Sequence, residues 1–337
     1  MLPVSLAKEK TWSPLVMQTV IFALVAAVVM WWRWGGTVED SQAYFDTARY
    51  LKGEVEFGEL RAPFPYRIGV PGLVALIPFD TRATFAALNW LFVSGSAVIL
   101  AYTMSKVFRS TVAGYIAGLM LIFSFSTVWF APYLLVDPGS LFARSLFVMG
   151  IVLARHRLAQ VAAFLAVLVR EENILLLGWM VITRRISLLR GVVLVAAAGT
   201  WLIFVRWYLV PNMPAYVWKP SLAQLLHGLQ DWKSLATIFA TAGVVVPLAI
   251  AGWRRAPESL AGLKSLVILL VLPSIYAMLC VRIDGRTVWG LYPLLIPFAV
   301  TWCIGRFQTN WSGLDQPGRA EKLISKQVSP LPIAVRR

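Results

Sequence analysis

Arg282 and Arg286 flank Asp284 in the stretch RIDGRTVWGLYPLLIPFAV, and Arg61 and Arg67 stand close together in LRAPFPYRIGVP. Planar guanidinium forks match phosphate oxygens, so arginines that converge on one place suggest a phosphate site. A turn explains Asp284-Gly285; it does not explain the two arginines around it. The other chemically loaded stretch is TVEDSQAYFDTARYLKGEVEFGELRAPFPYRIGVP. Six of the chain's sixteen carboxylates lie there, between Glu39 and Glu59. It opens on an adjacent pair, Glu39 and Asp40, and carries Asp46 and Tyr66 further on.

A third set of charges lies inside apolar runs. Asp137 precedes Pro138 in YLLVDPGSLFARS, a pattern that caps a helix N-terminus, and Arg144 follows seven residues later. Two helical turns separate them, so both can face one seam. An arginine that far into an apolar helix faces protein or a polar cavity, because a charge in hydrocarbon costs about 2.5–3.5 kcal/mol. Arg170, Glu171 and Glu172 interrupt the run 158–183. They read either as a solvated local ion pair or as side chains aimed into a central cavity, and helix spacing does not choose between Glu171 and Glu172. Arg206 reads as a residue that snorkels to the interface.

These residues need a frame to position them. The 337-residue chain is 59% hydrophobic and 14% charged, where soluble domains carry about 25% charge. The expected fold is all-α and polytopic, with about eight transmembrane helices at 14–32, 84–106, 112–132, 138–154, 188–210, 235–253, 263–281 and 288–304. Such runs suit a hydrocarbon core roughly 30 Å thick. Charge in the middle of 158–183 predicts a broken re-entrant hairpin, two half-helices meeting inside protein. The run 68–79 is too short to span and reads as a half-inserted helix. The first run is too long for a signal peptide and is expected to be retained. Residues 1–306 are thus expected to form a single transmembrane domain whose outer loop, 35–67, carries the candidate site, with 307–337 a basic, disordered cytoplasmic tail.

The distribution of charge orients this domain. With the N-terminus inside, the inner segments hold 18 Lys/Arg against 4 Asp/Glu, and the remaining segments hold 13 against 12. That asymmetry predicts both termini in the cytoplasm and the loop outside. The net charge of +15 therefore reflects membrane orientation, and nucleic acid is excluded as a partner because the basic residues punctuate apolar runs. Arg61, Arg67, Lys219, Arg282 and Arg286 make the outer half unusually cationic, which suggests a membrane-level site for a phosphorylated lipid. Cys280 and Cys303 lie in apolar segments, and the two histidines, His156 and His227, are far from any nucleophile pattern. Disulfide frameworks, CxxC metal sites and histidine triads are disfavoured.

The order Glu39-Asp40, then the helix-compatible SQAYFDTARYLKG, then APFPYRIGVP, resembles the first outer loop of the multispan GT-C glycosyltransferases, which use polyprenyl-phosphate-linked sugars. The match covers 37–78; beyond it the likeness is one of topology, the Arg-Glu break and the terminal arginine before a proline-containing span. The resemblance implies sugar transfer from a lipid phosphate to an acceptor hydroxyl on a glycan, lipid or protein, in the cell envelope. It implies Asp40 as base, with Glu39 second and Asp46 third, and Arg61, Arg67, Arg170, Arg282 and Arg286 as donor-phosphate ligands. Tyr66, Asp137, Arg144, Glu171, Glu172 and Asp284 become candidates to line the cavity. It departs from the family in being short and in lacking a second acidic pair, which leaves a divalent metal as an open option. A bacterial inner membrane suits the compact architecture. The rival readings are a flippase or transporter of a lipid-linked saccharide or organic anion, and a membrane scaffold without catalysis.

Overall fold

The computed structural model describes residues 14–213, 219–280 and 284–312, with side chains as far as Arg306. The first helix, α1 (Pro14–Trp31), is apolar all round but buries a single stripe, Gln18, Phe22, Ala26 and Met30, at a spacing of four. Val20, Leu24 and Val28 on its other faces are exposed. A helix that is apolar on every side and packed on one faces lipid with the rest. The expected outer loop follows. It contains α2 (Asp40–Leu51) and two 3-10 turns, and α3 (Gly69–Leu76) follows it at the run expected to be a half-inserted helix.

The centre of the bundle is α4 (Thr81–Phe108), which packs against α1, α5 (Thr111–Ile122) and α7 (Asp137–Val152). It buries Val93, Ala97, Leu100 and Met104 at three- and four-residue spacing. Glycine lets α5 approach closely: a Cβ at Gly118 would lie 2.3 Å from the ring of Phe22, and one at Gly114 would lie 2.8 Å from the carbonyl of Ala101. Small residues four apart are how helices pack where lipid supplies no hydrophobic drive. The short α6 (Phe125–Phe130) follows α5. The connection from α6 to α7 is tied to the start of the outer loop by a parallel bridge between Gly36 and Tyr133.

The interrupted hairpin is present as two half-helices, α8 (His156–Val169) and α9 (Ile174–Ile182). At the break Arg170 is extended, with φ −147° and ψ 126°. Asn173, fully buried, donates through Nδ2 to the Ala166 carbonyl at 2.9 Å and to Ser140 Oγ at 3.2 Å. The Ala166 carbonyl also accepts from Arg170 N at 2.9 Å, so the end of α8 is tied to both sides of the break. The chain continues through α10 (Leu188–Phe204), which ends in one π turn, α11 (Leu222–Gln230), α12 (Trp232–Ala242), α13 (Val245–Gly252), α14 (Ala261–Cys280), the single turn α15 (Arg286–Trp289) and α16 (Tyr292–Ser312).

Several expectations change in detail. Among the described residues four helices are long and apolar enough to cross a membrane, or five if α12 and α13 count as one bent span; about eight spans were expected. The expected span 112–132 breaks at Phe123–Ser124, where Ser124 accepts from Thr127 N and caps α6. The span 235–253 bends by 55° at Gly243, whose φ is +45°. The last span begins at Tyr292, because a separate turn occupies 286–289. Helix α11 was not anticipated, although Ser221 caps it and its leucines recur at helical spacing. The tail expected to be disordered lies, from residue 313 on, outside the described residues.

The closest backbone contact is between α13 and α16, where a Cβ on Gly252 would sit 1.9 Å from the Phe298 carbonyl. Gly252→Ala is expected to destabilise the protein by about 1–3 kcal/mol through overpacking, seen as a lower thermal unfolding midpoint in detergent. Gly199→Ala on α10, where nothing lies within 4 Å of the added methyl, should leave the midpoint unchanged or slightly raised. Equal midpoints for the two variants would refute the close contact.

Candidate active site

Asp40 is the first residue of α2, and local structure leaves its carboxylate available. Ser41 closes the turn at the head of the helix. Its Oγ accepts from Val38 N at 2.6 Å and donates to the Val38 carbonyl at 2.8 Å. Glu39 occupies the N-cap position without a side-chain capping hydrogen bond, at φ +35°. That is a conformation other residues than glycine adopt at a cost of about 1–3 kcal/mol, and such strain gathers at functional sites. The two acids therefore do not serve as the cap of α2. Asp40 Oδ2 instead lies 2.5 Å from Arg286 Nη2, and Oδ1 lies 3.9 Å from Arg61 Nη2. Arg286 in turn has Nε 3.5 Å from Asp284 Oδ2.

Beneath this pair runs a network of arginines and carboxylates drawn from distant parts of the chain. Arg67, from the Pro/Tyr/Arg segment, makes a two-pronged contact with Glu171, 3.1 Å on each prong. It also donates to the Tyr44 hydroxyl at 2.8 Å. Burial raises the Tyr44 phenol above its ordinary pKa, with Arg67 pulling the other way, so the ring oxygen stays protonated. Arg170 pairs with Asp137 and, at 3.2 Å, with Glu172. Arg144, only 5% exposed, gives one contact to each of three partners: Glu172 at 3.0 Å, Asn173 Oδ1 at 2.6 Å and the Gly290 carbonyl at 2.7 Å. Asp137 thus faces Arg170 as well as opening α7, and Arg144 faces protein.

Two cavities meet at Arg286. The larger, about 580 Å³, is lined by Arg67, Arg144, Arg170, Arg206 and Arg286, against Glu171 and Glu172. Beyond the two glutamates on this wall, Asp137 pairs with Arg170 and Asp40 with Arg286 from outside it, and Arg206 rests against the Tyr66 ring. Tyr66 lies at one side, and Leu270, Pro273, Tyr276 and Ala277 of α14 form an apolar side. Leu272, Ile275 and Tyr276 are exposed on that helix, so the apolar side continues to the outer surface of the bundle. The smaller cavity, about 440 Å³, is lined by Glu39, Asp40, Asp284, Lys233 and the aromatic side chains Phe125, Trp129, Phe130 and Tyr133. Arg286 lines both.

The expected residues divide accordingly. Glu39, Asp40 and Asp284 face the smaller cavity; Tyr66, Arg67, Arg144, Arg170, Glu171 and Glu172 face the larger. Asp46 reaches neither: it accepts from Gln42 at 2.8 Å and pairs with Arg49 at 3.4 Å on α2. Arg61 stays half exposed over Phe64 and touches the site only through Asp40. Arg282 lies outside the described residues. Arg206, expected to snorkel, lies over the Tyr66 ring at 4.9 Å and lines the larger cavity. Tyr44, Asn173 and Trp129 were not singled out by their sequence context, since a buried polar partner and a wall aromatic look like ordinary core residues. No group of three or more His, Cys, Asp or Glu side chains suited to a metal occurs among the described residues. Both Asp40 oxygens face a guanidinium, a setting that disfavours a divalent cation, so no chemistry is assigned to a metal here.

Arg144 generates the sharpest stability prediction. Arg144→Met takes from half-buried Glu172 one of its two arginines and from buried Asn173 its guanidinium donor, and breaking a buried pair from one side costs up to about 3–5 kcal/mol. The thermal midpoint in detergent should fall well below that of Arg61→Met, whose side chain is 58% exposed. Comparable midpoints would mean that the Arg144 network contributes no more than a surface contact.

No family model matches the sequence, and no curated protein matches it. Among solved structures, the fold is similar to that of ArnT from Cupriavidus metallidurans in the apo state, with a TM-score of 0.56 and 16% identity. The likeness covers 95% of this chain and 66% of the other, so this chain spans less than two thirds of the structure it matches. At that identity the likeness is one of fold: the chain is an all-α polytopic membrane protein that shares the architecture of that structure.

Proposed function

We propose that the chain is a membrane glycosyltransferase that moves a sugar from a polyprenyl-phosphate donor to an acceptor hydroxyl at the outer face of the membrane. The observation that carries this reading is the contact between Asp40 and Arg286. It stands where a cavity walled by arginines adjoins a second cavity walled by carboxylates and aromatic rings. The first suits a phosphate with a lipid tail leaving along α14. The second suits a sugar-like or hydroxylated acceptor, because aromatic faces and acids are what hydroxylated rings bind against. The GT-C-like fold supports the same class of activity.

In this reading the donor phosphate enters among Arg67, Arg170, Arg206 and Arg286, with Tyr66 beside it. Arg286 exchanges Asp40 for a phosphate oxygen, since guanidinium binds phosphate as well as carboxylate. Asp40, released by Arg286, is then free to accept a proton. It takes the proton of the acceptor hydroxyl as that oxygen attacks the anomeric carbon. The bond from the anomeric carbon to the phosphate oxygen breaks, and the departing lipid phosphate keeps the electron pair among fixed cations. Attack from the side opposite the phosphate inverts the anomeric centre. Glu39, on the same wall as Asp40, is placed to hold the acceptor. The cationic distribution of the sequence supports cytoplasmic termini and a bacterial inner membrane for such a chain.

The test uses the full chain in lipid nanodiscs with a polyprenyl-phosphate sugar labelled in the sugar and envelope material as acceptor. Asp40→Asn should lower transfer by about 10²–10⁴-fold, the usual worth of a positioned base, while still retaining the donor. Arg286→Ala should lower donor retention, read by mass spectrometry of the lipid that stays with the purified protein. Full transfer by Asp40→Asn would remove Asp40 as base. Label that crosses the membrane while still attached to its lipid would favour the flippase reading.

A further inference from the structure

A helix length away from this site lies a second charged cavity of quite different character. Helix α8 runs from the candidate site at Arg170 down to His156, and its 14 residues span about 21 Å at 1.5 Å each. At that far end a cavity of about 750 Å³ is lined by His156, Arg157, Gln160, Arg184, Arg185 and Arg190, among others. Four arginines contribute to its wall, and no carboxylate lines it among the described residues. That sets it apart from the candidate active site, where every arginine of the central network has an acid against it. Two buried polar atoms on its wall, His156 Nδ1 and Arg185 Nε, have no hydrogen-bond partner. Arg185 is held in place by packing over the Trp179 ring at 5.1 Å.

The cavity adjoins an apolar groove at Val181. A cleft of about 430 Å³ between α9 and α10 is lined by Gly178, Val181, Val192 and Val195, and Val181 lines both spaces. Glycines shape the cleft. Gly191 lets α10 meet Val181, where a Cβ would come within 2.2 Å. At Gly178 nothing lies within 4 Å of an added Cβ, so the missing side chain leaves an open trough. Ile182 and Val192, 79% and 56% exposed, continue it as an apolar surface.

We propose that this end of the molecule binds an anionic phospholipid, with its phosphate among Arg157, Arg184, Arg185 and Arg190 and one acyl chain in the α9–α10 groove. A cationic recess alone would suit any anion. An apolar trough opening from it selects an amphiphile whose phosphate and hydrocarbon are joined. The absence of a lining carboxylate selects a headgroup without a compensating cation, because nothing on the wall would pair a choline or an amine. The inference is independent of the glycosyl-transfer reading, which uses other residues at the other end of the bundle.

Purified full-length protein in detergent is titrated with dioleoylphosphatidylglycerol, dioleoylphosphatidylcholine or inorganic phosphate, and bound lipid is read by native mass spectrometry. Phosphatidylglycerol should be retained, phosphatidylcholine much less, and inorganic phosphate should not displace the bound lipid. Replacing two of the three exposed arginines, Arg157→Gln with Arg190→Gln, should lower phosphatidylglycerol retention on the order of tenfold, from the attraction each cation contributes near anionic lipid. Gly178→Leu, which fills the trough without changing charge, should also lower it. The Asp40→Asn variant should retain it as wild type does. Equal retention of the two lipids, displacement by inorganic phosphate, or wild-type retention in both the arginine and the Gly178 variants would each overturn the proposal.

Discussion

An arginine buried among apolar helices dictates much of this structure. Arg144 is charged at any ordinary pH, and stripping its guanidinium of water costs several kcal/mol unless its donors are met. Its three contacts come from the hairpin break, Glu172 and Asn173, and from the carbonyl of Gly290 ahead of α16. The helix on which it sits, the broken hairpin and the start of the last helix are thereby locked to one another. The break in the hairpin follows from the same requirement. An unbroken helix through 158–183 could not turn Glu172 and Asn173 together toward α7 while Asn173 also satisfied the Ala166 carbonyl.

Around that anchor the charges are nearly balanced, and the balance has a chemical consequence. Arg67, Arg170 and Arg286 each hold at least one carboxylate, and Arg206 rests on the Tyr66 ring. Salt bridges that neutralise one another keep the arginines ordered in the absence of an anion, at the positions a phosphate would need. Preorganised cations cost no rearrangement when charge develops, which is what makes fixed donors effective. The Asp40 contact differs from the others because its acid also faces the neighbouring cavity. Under the proposed reading, exchange there would connect the two spaces, whereas exchange at Arg144 would break the scaffold.

The loop and the hairpin were largely legible in the sequence, and the reasons are local. Glu39-Asp40 ahead of SQAYFDTARYLKG announced α2, the short run at 68–79 announced α3, and charge at Arg170–Glu172 announced the break. Where hydropathy was the guide, detail was lost. It is a scalar, blind to backbone direction, so the cap at Ser124 and the positive φ of Gly243 disappeared inside apolar runs. The start of the last span was placed too early for the same reason at 288–304, where Arg286–Trp289 folds as a turn of its own. Asp46 looked equivalent to Asp40 by type and neighbourhood, but six residues along a helix carried it to Gln42 and Arg49, away from both cavities.

By itself the sequence determined that the chain is helical and membrane-bound, because so few charges spread over long apolar runs leave no other way to satisfy the backbone in lipid. It also marked which charges would need partners, since each lay where solvation is dear. What it did not contain was the pairing. Arg286 meets Asp40 across 246 positions and Arg67 meets Glu171 across 104, and such contacts depend on helices packed at particular depths by glycines such as Gly118 and Gly252. Only the tertiary structure decided that Arg286 would stand between two cavities, that Arg206 would turn inward over Tyr66, and that four arginines at the far end would line a cavity with no carboxylate on its wall among the described residues. Coulomb attraction and desolvation act on distance through space, and separation along the chain carries no record of it.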